Sequence, residues 1–217
     1  MLLSERQRRV EEVALQRTRT LAVVLEDIED PHNIAAVLRT CEGFGIQEVH
    51  AVTRRFAFHP NPKITQGAEK WLDLSLYRDT GRCLAGLKQR GFLLAATDLA
   101  PDARSLFDLP TDRPLAIVFG TEKVGLTPEA LALCDVRFKI PMIGFSQSLN
   151  ISVAAAVCLS HLVFQRLQRR GRSGDLPEAE QRALVERFFS LAVKQRHRIF
   201  SELNPQDGRA SKKRVSK

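Results

Sequence analysis

Short apolar runs alternate along most of the chain with segments in which apolar residues recur every three or four positions. The runs predict strands at residues 21–26, 49–52, 72–77, 92–97, 115–119 and 136–140. The periodic segments predict helices at residues 34–42, 80–90, 127–132 and 150–168. Residues 115–119 show no polar alternation, which is typical of a parallel strand buried on both faces. This order of elements predicts an α/β fold, with a mostly parallel sheet and helices on both faces.

The basic residues are concentrated at the two ends of the chain. The 217 residues include 33 Lys or Arg and 25 Asp or Glu, a formal net charge of +8. Residues 1–20 hold five Arg and three Glu, residues 163–217 hold 14 basic and six acidic residues, and residues 21–162 hold 14 and 16. Basic ends around a near-neutral centre indicate a protein that holds a polyanion at its periphery.

The same pattern predicts three regions. We expect a basic N-terminal helix over residues 1–20, a central domain over 21–170, and a basic helical extension over 171–217. The extension contains a predicted helix at 178–196, and its last dozen residues are expected to be disordered. Residues 56–69, which are rich in proline and glycine, form the longest irregular stretch and are expected to be a mobile substrate loop.

Composition also indicates the compartment. No uninterrupted apolar run approaches the length of about 20 residues that a membrane span needs, and the arginine-rich N-terminus lacks a hydrophobic signal segment. The four cysteines and five histidines are scattered, with no zinc-like spacing. We therefore expect a soluble cytoplasmic protein with buried thiols, no metal and no membrane partner.

Three junctions between a predicted strand and a predicted helix carry polar residues. In the first, residues 31–40 read PHNIAAVLRT, so that Asn33 is a candidate helix cap and Arg39 follows nearly two turns later. Taken alone, Arg39 is equally well explained as a solvated arginine or as an ion-pair partner of Glu42 or Glu26.

The other two junctions lie further along the chain. Gly120 and Gly125 bracket a turn from which Glu122 projects, which allows either close approach to a ligand or an ordinary loop with an exposed acid. Residues 140–150 read IPMIGFSQSLN, in which Ser148 and Asn150 are candidate caps of the helix that follows. Unpaired N–H groups in that first turn suit a small polar ligand as well as a purely structural cap.

Together the three junctions resemble, in the same order, the motifs of the SpoU–TrmH family of RNA ribose 2′-O-methyltransferases, over about residues 21–167. The family belongs to the SPOUT class, so the resemblance implies a deep C-terminal trefoil knot that binds S-adenosylmethionine in a bent form. No G-x-G-x-x-G opens a helix after a strand, which argues against an ordinary dinucleotide site. The implied cofactor contacts are Thr97, Gly120, Ile140 and Leu149.

The resemblance also implies the catalytic residues. Arg39 is implied to activate the ribose 2′-hydroxyl, although a guanidinium is a poor base at neutral pH. Two roles therefore stay open for Arg39: a base in a strongly cationic pocket, or a clamp on the adjacent phosphate while phosphate oxygen or water takes the proton. The implied hydrogen-bonding frame around the ribose consists of Asn33, Glu122, Ser148 and Asn150, and Glu122 is alternatively a residue that only secures the knot loop.

Short basic helices at both ends are similar to the branch of this family that methylates the guanosine at position eighteen of the tRNA D-loop. His32 and Lys88 match that branch, whereas Ala68 and Glu69 depart from it. The implied RNA-binding residues are Arg8, Arg9, Arg17, His32, Lys88, Arg166 and Arg169. A homodimer is implied as well, and the small residues 154–156 suit close helix packing.

Two alternatives to tRNA methylation stay open. One is a ribosomal RNA 2′-O-methyltransferase of the same family. The other is a non-catalytic RNA-binding protein that retains the fold.

Overall fold

The computed structural model describes residues 3–203, with side chains described from residue 5 to residue 193. Contacts divide the chain into two compact units, of which the larger spans Gln16–Leu176 and the smaller joins the N-terminal residues to those after Leu176. In the smaller unit, helix α1 (Leu3–Leu15) packs against helix α7 (Glu178–Leu203), and the Arg6 guanidinium donates to the Ala192 carbonyl. The last dozen residues, predicted to be disordered, lie outside the described residues.

The larger unit is built on a seven-stranded parallel sheet in the order β3-β2-β1-β6-β4-β7-β5. The strands are β1 (Thr18–Glu26), β2 (Ile46–Val52), β3 (Asp73–Tyr77), β4 (Leu93–Thr97), β5 (Arg104–Ser105), β6 (Leu115–Phe119) and β7 (Val136–Lys139). The predicted α/β class and mostly parallel sheet are confirmed. Strand β1 begins inside the segment predicted as an N-terminal helix, and the two-residue β5 was not predicted.

Helices cover both faces of this sheet. They are α2 (Pro31–Gly43), α3 (Pro62–Thr65), α4 (Thr80–Gln89), α5 (Pro128–Leu133) and α6 (Ile151–Arg170). Successive side chains of a strand point to opposite faces. Leu21, Val23 and Leu25 of β1 accordingly lie in the core that contains α2 and α6, whereas Ala22 and Val24 lie in the core that contains α4 and α5.

The first turn of α2 differs from the prediction. Asp30, rather than Asn33, is the N-terminal cap: its carboxylate accepts from the His32 N–H at 2.8 Å, and Pro31 occupies the first helical position. Proline suits that position because its missing N–H would be unpaired there anyway. The side chain of Asn33 is therefore available for other contacts.

Helix α6 has the ends that the sequence predicts. Its cap is Asn150, whose side-chain oxygen accepts from the Ser152 N–H at 2.9 Å, and it stops at Gly171, which adopts φ +69°. Within the described residues, α6 is the one helix long and apolar enough by composition to span a membrane, with a mean hydropathy of 1.3. This span-like composition was not predicted from the sequence. One side of α6, including Ala155 and Leu159, is buried in the core.

Candidate active site

A cavity of about 650 Å³ lies at the carboxyl ends of β6, β4 and β7, three neighbouring strands of the sheet. Its walls are the segments that follow those strands: residues 97–99, residues 119–126, and residues 139–151 together with Ala154 of α6. The ends of parallel strands are a common place for ligand sites, because the loops that follow them converge at one edge of the sheet. This volume is in the range of small-molecule sites.

A tight turn after β6 forms one wall of the cavity. Thr121 N–H donates to the Gly125 carbonyl at 3.1 Å, and Gly125 N–H donates back to the Thr121 carbonyl at 2.9 Å. Gly125 adopts φ +68°, a conformation in which a side chain is strained. Gly120 packs so closely that an added Cβ would lie 2.2 Å from the Gly125 carbonyl carbon. Both glycines are thus required by the backbone geometry of this wall.

Two hydrogen bonds fasten the other strand ends together. Thr97 Oγ1 donates to the Val118 carbonyl at 3.1 Å, which joins the end of β4 to β6. Asp98 N–H donates to the Phe138 carbonyl at 2.9 Å, which joins the end of β4 to β7. The three loops around the cavity therefore start from strand ends that are tied together.

A chain of side-chain hydrogen bonds links α2 to the mouth of the cavity. Asn150 Nδ2 donates to Asn33 Oδ1 at 3.1 Å, and Asn33 Nδ2 donates to Glu122 Oε1. Asn150 and Glu122 line the cavity, and Asn33 joins them from the first turn of α2. The three polar residues predicted from separate motifs thus meet through direct contacts, with a carboxylate at one end of the chain.

Most of the predicted cofactor-binding and catalytic residues lie together. The cavity is lined by the four predicted cofactor contacts and by three of the predicted catalytic residues: Thr97, Gly120, Ile140, Leu149, Glu122, Ser148 and Asn150. Asp98, Leu99 and Met142 also line it and were not predicted as site residues. The available signal for the first two was their place directly after the β4 strand end, and Met142 lies within the third motif.

Arg39 is placed differently from the other predicted catalytic residues. It is exposed on α2, is not among the residues that line the cavity, and has no hydrogen bond or ion pair to any described residue. The acids considered as its partners are engaged elsewhere: Glu42 pairs with Arg17 at 2.7 Å, and Glu26 contacts Arg54 at 3.2 Å. Arg39 therefore presents its guanidinium to solvent.

Two of the predicted RNA-binding residues are buried. The Arg17 side chain is 1% exposed and donates to the Glu42 carboxylate and to the Ile46 carbonyl. Arg166 is 3% exposed and donates to Thr20 Oγ1 at 2.8 Å, and burial lowers its pKa to about 10. The prediction is corrected at both positions, because a guanidinium engaged inside the fold is not available to RNA.

The other predicted RNA-binding residues lie at the surface. Arg8 and Arg9 are exposed on α1, and Arg169 is exposed on α6. The Lys88 ammonium pairs with Asp135 at 2.7 Å, and the His32 ring contacts both Asp30 and Asn61.

No metal-binding cluster is found in the part of the chain that the structure describes: no three His, Cys, Asp or Glu residues there are grouped suitably. The polar chemistry available at the cavity is that of amides, hydroxyls, backbone groups, two carboxylates (Asp98 and Glu122) and two ammonium groups (Lys123 and Lys139).

Comparison with known proteins assigns the family. The model of the SpoU rRNA Methylase family matches residues 20–160. A tRNA (guanosine(18)-2′-O)-methyltransferase of Thermus thermophilus is 44% identical over 163 residues, which cover 75% of this chain and 84% of that protein. The corresponding protein of Borreliella burgdorferi is 37% identical over 193 residues, covering 89% and 88%.

A solved structure agrees over most of the fold. The crystal structure of the A. aeolicus TrmH/SpoU tRNA modifying enzyme superposes with a TM-score of 0.80 at 28% identity, covering 89% of this chain and 99% of that one. The matched residues 20–160 contain the β6 turn, the Asn150–Asn33–Glu122 chain and the walls of the cavity up to Ala154. The chain therefore belongs to the SpoU rRNA Methylase family.

Proposed function

We propose that the protein transfers a methyl group from S-adenosylmethionine to the ribose 2′-hydroxyl of guanosine 18 in the D-loop of tRNA. Membership of a methylase family confirms the predicted enzyme class, and the Thermus thermophilus and Borreliella burgdorferi relatives are named for this reaction. The structural observation that carries the proposal is the hydrogen-bonded chain Asn150–Asn33–Glu122 at the mouth of the cavity. The relatives favour this reading over ribosomal RNA methylation and over a non-catalytic protein.

The cavity fits the cofactor. Its walls combine apolar side chains, such as Leu99, Leu126 and Leu149, with backbone groups of the turn in which Gly120 packs directly against Gly125. We propose that backbone groups at Thr97, Gly120, Ile140 and Leu149 hold S-adenosylmethionine. When bound, it supplies an electrophilic methyl group on a sulfonium sulfur.

The polar chain orients the ribose in this proposal. Methyl transfer would join the 2′-oxygen to the methyl carbon as the carbon–sulfur bond breaks, and the hydroxyl proton would pass to Arg39 acting as a base or, where Arg39 clamps the phosphate, to a phosphate oxygen or water. Asn33 and Asn150 hold each other's amides in fixed orientation, and Glu122 and Ser148 complete the frame at the mouth. Such fixed orientation lowers the entropic cost of aligning two reactants.

Arg39 acts on the hydroxyl or on its neighbouring phosphate. Its guanidinium is exposed and has no partner among the described residues, which supports the clamp; the base role needs a strongly cationic pocket, and Arg39 does not line the cavity. A clamp on the phosphate requires only charge and a forked donor, whereas a base requires loss of a proton from a group that is charged at neutral pH. The variant Arg39→Lys keeps the charge and loses the fork, and the pH–rate profile of Arg39→Ala shows whether a titrating group is lost with the side chain.

The assembly and RNA path are further parts of the proposal. The residues after β6 and β7 form a deep trefoil knot, which the adjacency of β6, β4 and β7 supports. The protein is cytoplasmic and forms a homodimer. The dimer is supported by Val153 and Phe164, large apolar side chains that are exposed on α6. The central domain over residues 21–170 carries the site, and basic residues outside it or at its surface bind tRNA: Arg8, Arg9, Lys88 and Arg169.

Mapping the methylated nucleotide tests this function. Purified protein is incubated with labelled S-adenosylmethionine and total tRNA, and in parallel with ribosomal RNA. The proposal requires label in tRNA at guanosine 18, and a transcript with 2′-deoxyguanosine at that position must accept none. Label only in ribosomal RNA, or no cofactor binding by calorimetry, would refute it.

A further inference from the structure

Residues 54–70, which we call the basic arm, connect the carboxyl end of β2 to the amino end of its parallel neighbour β3. The arm contains four Lys or Arg and one Glu, a net charge of +3 with His neutral, whereas residues 21–162 as a whole carry −2. Residues 56–69 were predicted to be an irregular, mobile loop, but they contain α3 and the start of a 3₁₀ helix at Ala68–Trp71. The arm is thus a locally basic and partly helical segment.

Asp27 fixes the start of the arm. It follows β1, adopts φ +52°, and is 1% exposed. Its carboxylate accepts from the backbone N–H groups of Arg54 and Arg55 at 2.7 and 3.1 Å, and from both of their Nε atoms. Burial opposes ionisation of Asp27, but these hydrogen bonds outweigh it and lower its pKa. One buried carboxylate therefore sets the direction of two consecutive arginines.

The first turn of α2 fixes the middle of the arm. Asn61 N–H donates to the Pro31 carbonyl at 3.2 Å, and Asn61 Nδ2 lies 3.3 Å from His32 Nε2. His32 Nδ1 lies 3.0 Å from the Asp30 carboxylate and donates to it, so that Nε2 accepts from Asn61. Because Asn33 is the next residue of the same turn, the arm is held beside the polar chain of the site.

The arm leaves selected cations available. Arg54 is occupied by three carboxylates, those of Glu26, Asp27 and Glu129. The Arg55 side chain is 53% exposed and lies over the Phe56 ring, and its two terminal nitrogens form no hydrogen bond or ion pair with the described residues. Lys63 is exposed and has no ion pair among the described residues. Arg55 and Lys63 thus point outward from a fixed backbone.

We propose that the basic arm binds the phosphates that flank the target ribose, with Arg55 and Lys63 as the contacts and with Asp27 and His32 as positioning residues. The inference rests on the proposed RNA substrate and names a surface for it beyond the cavity. A preformed phosphate site binds at low entropic cost, because its side chains are ordered before RNA arrives.

Salt dependence of binding tests the two contacts. Affinity for an unmodified tRNA transcript is measured by fluorescence anisotropy without cofactor, across a series of salt concentrations, for Arg55→Ala and Lys63→Ala. Each lost phosphate contact reduces the slope of log K against log salt by about 0.7–0.9 and weakens binding about 3- to 10-fold. The matched control is Arg104→Ala, an exposed arginine on β5 at the opposite edge of the sheet. Arm variants with the slope and affinity of the control would overturn the proposal.

Asp27→Asn tests the positioning role, because charge and position predict opposite results. Asparagine tolerates positive φ, so the backbone is retained while the carboxylate is lost. Removing a negative charge should tighten tRNA binding if Asp27 acts by charge alone. If Asp27 positions Arg55, the KM for tRNA rises about 3- to 10-fold with kcat unchanged. Tighter binding, or a fall in thermal stability with unchanged KM, would contradict the positioning role.

The outcomes separate this inference from the proposed function. Because the binding measurement needs no methyl transfer, reduced slopes for the arm variants without methylation of guanosine 18 would support the arm and refute the proposed function. Methylation of guanosine 18 with unchanged slopes for the arm variants would support the proposed function and refute the role of the arm.

Discussion

Replacing Gly120 by alanine should distort the wall of the cofactor site that the turn after β6 forms. The added Cβ would lie 2.2 Å from the Gly125 carbonyl carbon, 2.3 Å from its oxygen and 2.4 Å from the Leu126 nitrogen. Carbon atoms in contact are normally separated by about 3.5–4.0 Å. All three neighbours are backbone atoms, so the turn after β6 must move by more than about 1 Å as a unit.

That movement breaks the two hydrogen bonds between Thr121 and Gly125, which measure 3.1 and 2.9 Å. Each contributes about 0.5–1.5 kcal/mol net, so their loss costs about 1–3 kcal/mol. If binding restores the turn, this cost appears as a loss of about 5- to 150-fold in affinity for S-adenosylmethionine.

Isothermal titration calorimetry measures this affinity, with far-ultraviolet circular dichroism to verify that the variant is folded. Gly86→Ala is the matched control, because Gly86 lies in α4 with no atom within 4 Å of an added Cβ. In a helix interior that change is favourable by about 1 kcal/mol, so the control should keep its affinity and not lose thermal stability. Wild-type affinity and melting temperature in Gly120→Ala would refute the close contact on which this reasoning depends.

Three further changes test other parts of the molecule. Asn33→Asp places a carboxylate where an amide donates to Glu122. We expect kcat/KM to fall about 30- to 100-fold, a loss of about 2–3 kcal/mol, with little change in cofactor affinity. An unchanged kcat/KM would contradict a role of the polar chain in the reaction. Glu48→Gln should make the free energy of unfolding less dependent on pH in acid. Burial opposes ionisation of Glu48, but contacts with His50, Arg19 and Arg90 lower its pKa from 4.5 to about 2. The stabilisation from Glu48 is therefore complete above pH 4.5 and lost as the pH falls to about 2, and urea unfolding of the wild type and Glu48→Gln across that interval should diverge. Burial raises the pKa of Cys83, Cys134 and Cys158 to about 12 and also raises that of Cys41. Thiol reagents at pH 8 should therefore modify the folded protein much more slowly than the urea-unfolded chain. Equal rates would refute burial of the thiols.

The elements set by local chemistry were predictable from the sequence. The bounds of β6 are those of its apolar run, and α6 begins after Asn150 and ends at Gly171, as capping residues indicate. The cap of α2 was predicted wrongly, because Asp30 followed by Pro31 is the stronger start signal and precedes Asn33. The order of strands in the sheet had no local signal, because it depends on which apolar faces pack together over long separations.

Charge reasoning failed where burial decides. Counting basic residues near the ends gave Arg17 and Arg166 the same weight as exposed arginines. Both are enclosed because hydrogen-bond acceptors, including Thr20 and the Glu42 carboxylate, surround them inside the larger unit. A buried cation persists only with such partners, and the partners lie 25 or more positions away in the chain. Composition does not carry that information.

The capping of α2 by Asp30, and not by Asn33, explains how the site is assembled. Since the Asp30 carboxylate caps α2 by accepting from the His32 N–H, both ends of the Asn33 amide are left for Glu122 and Asn150. Asn150 has two roles at once: its oxygen accepts from Ser152 as the cap of α6, and its nitrogen donates to Asn33. The capping bond fixes which end of the Asn150 amide faces the site, and so determines the direction of the whole chain towards Glu122. A substitution at Asn150 therefore affects helix stability and site geometry together, whereas one at Asn33 affects the geometry alone.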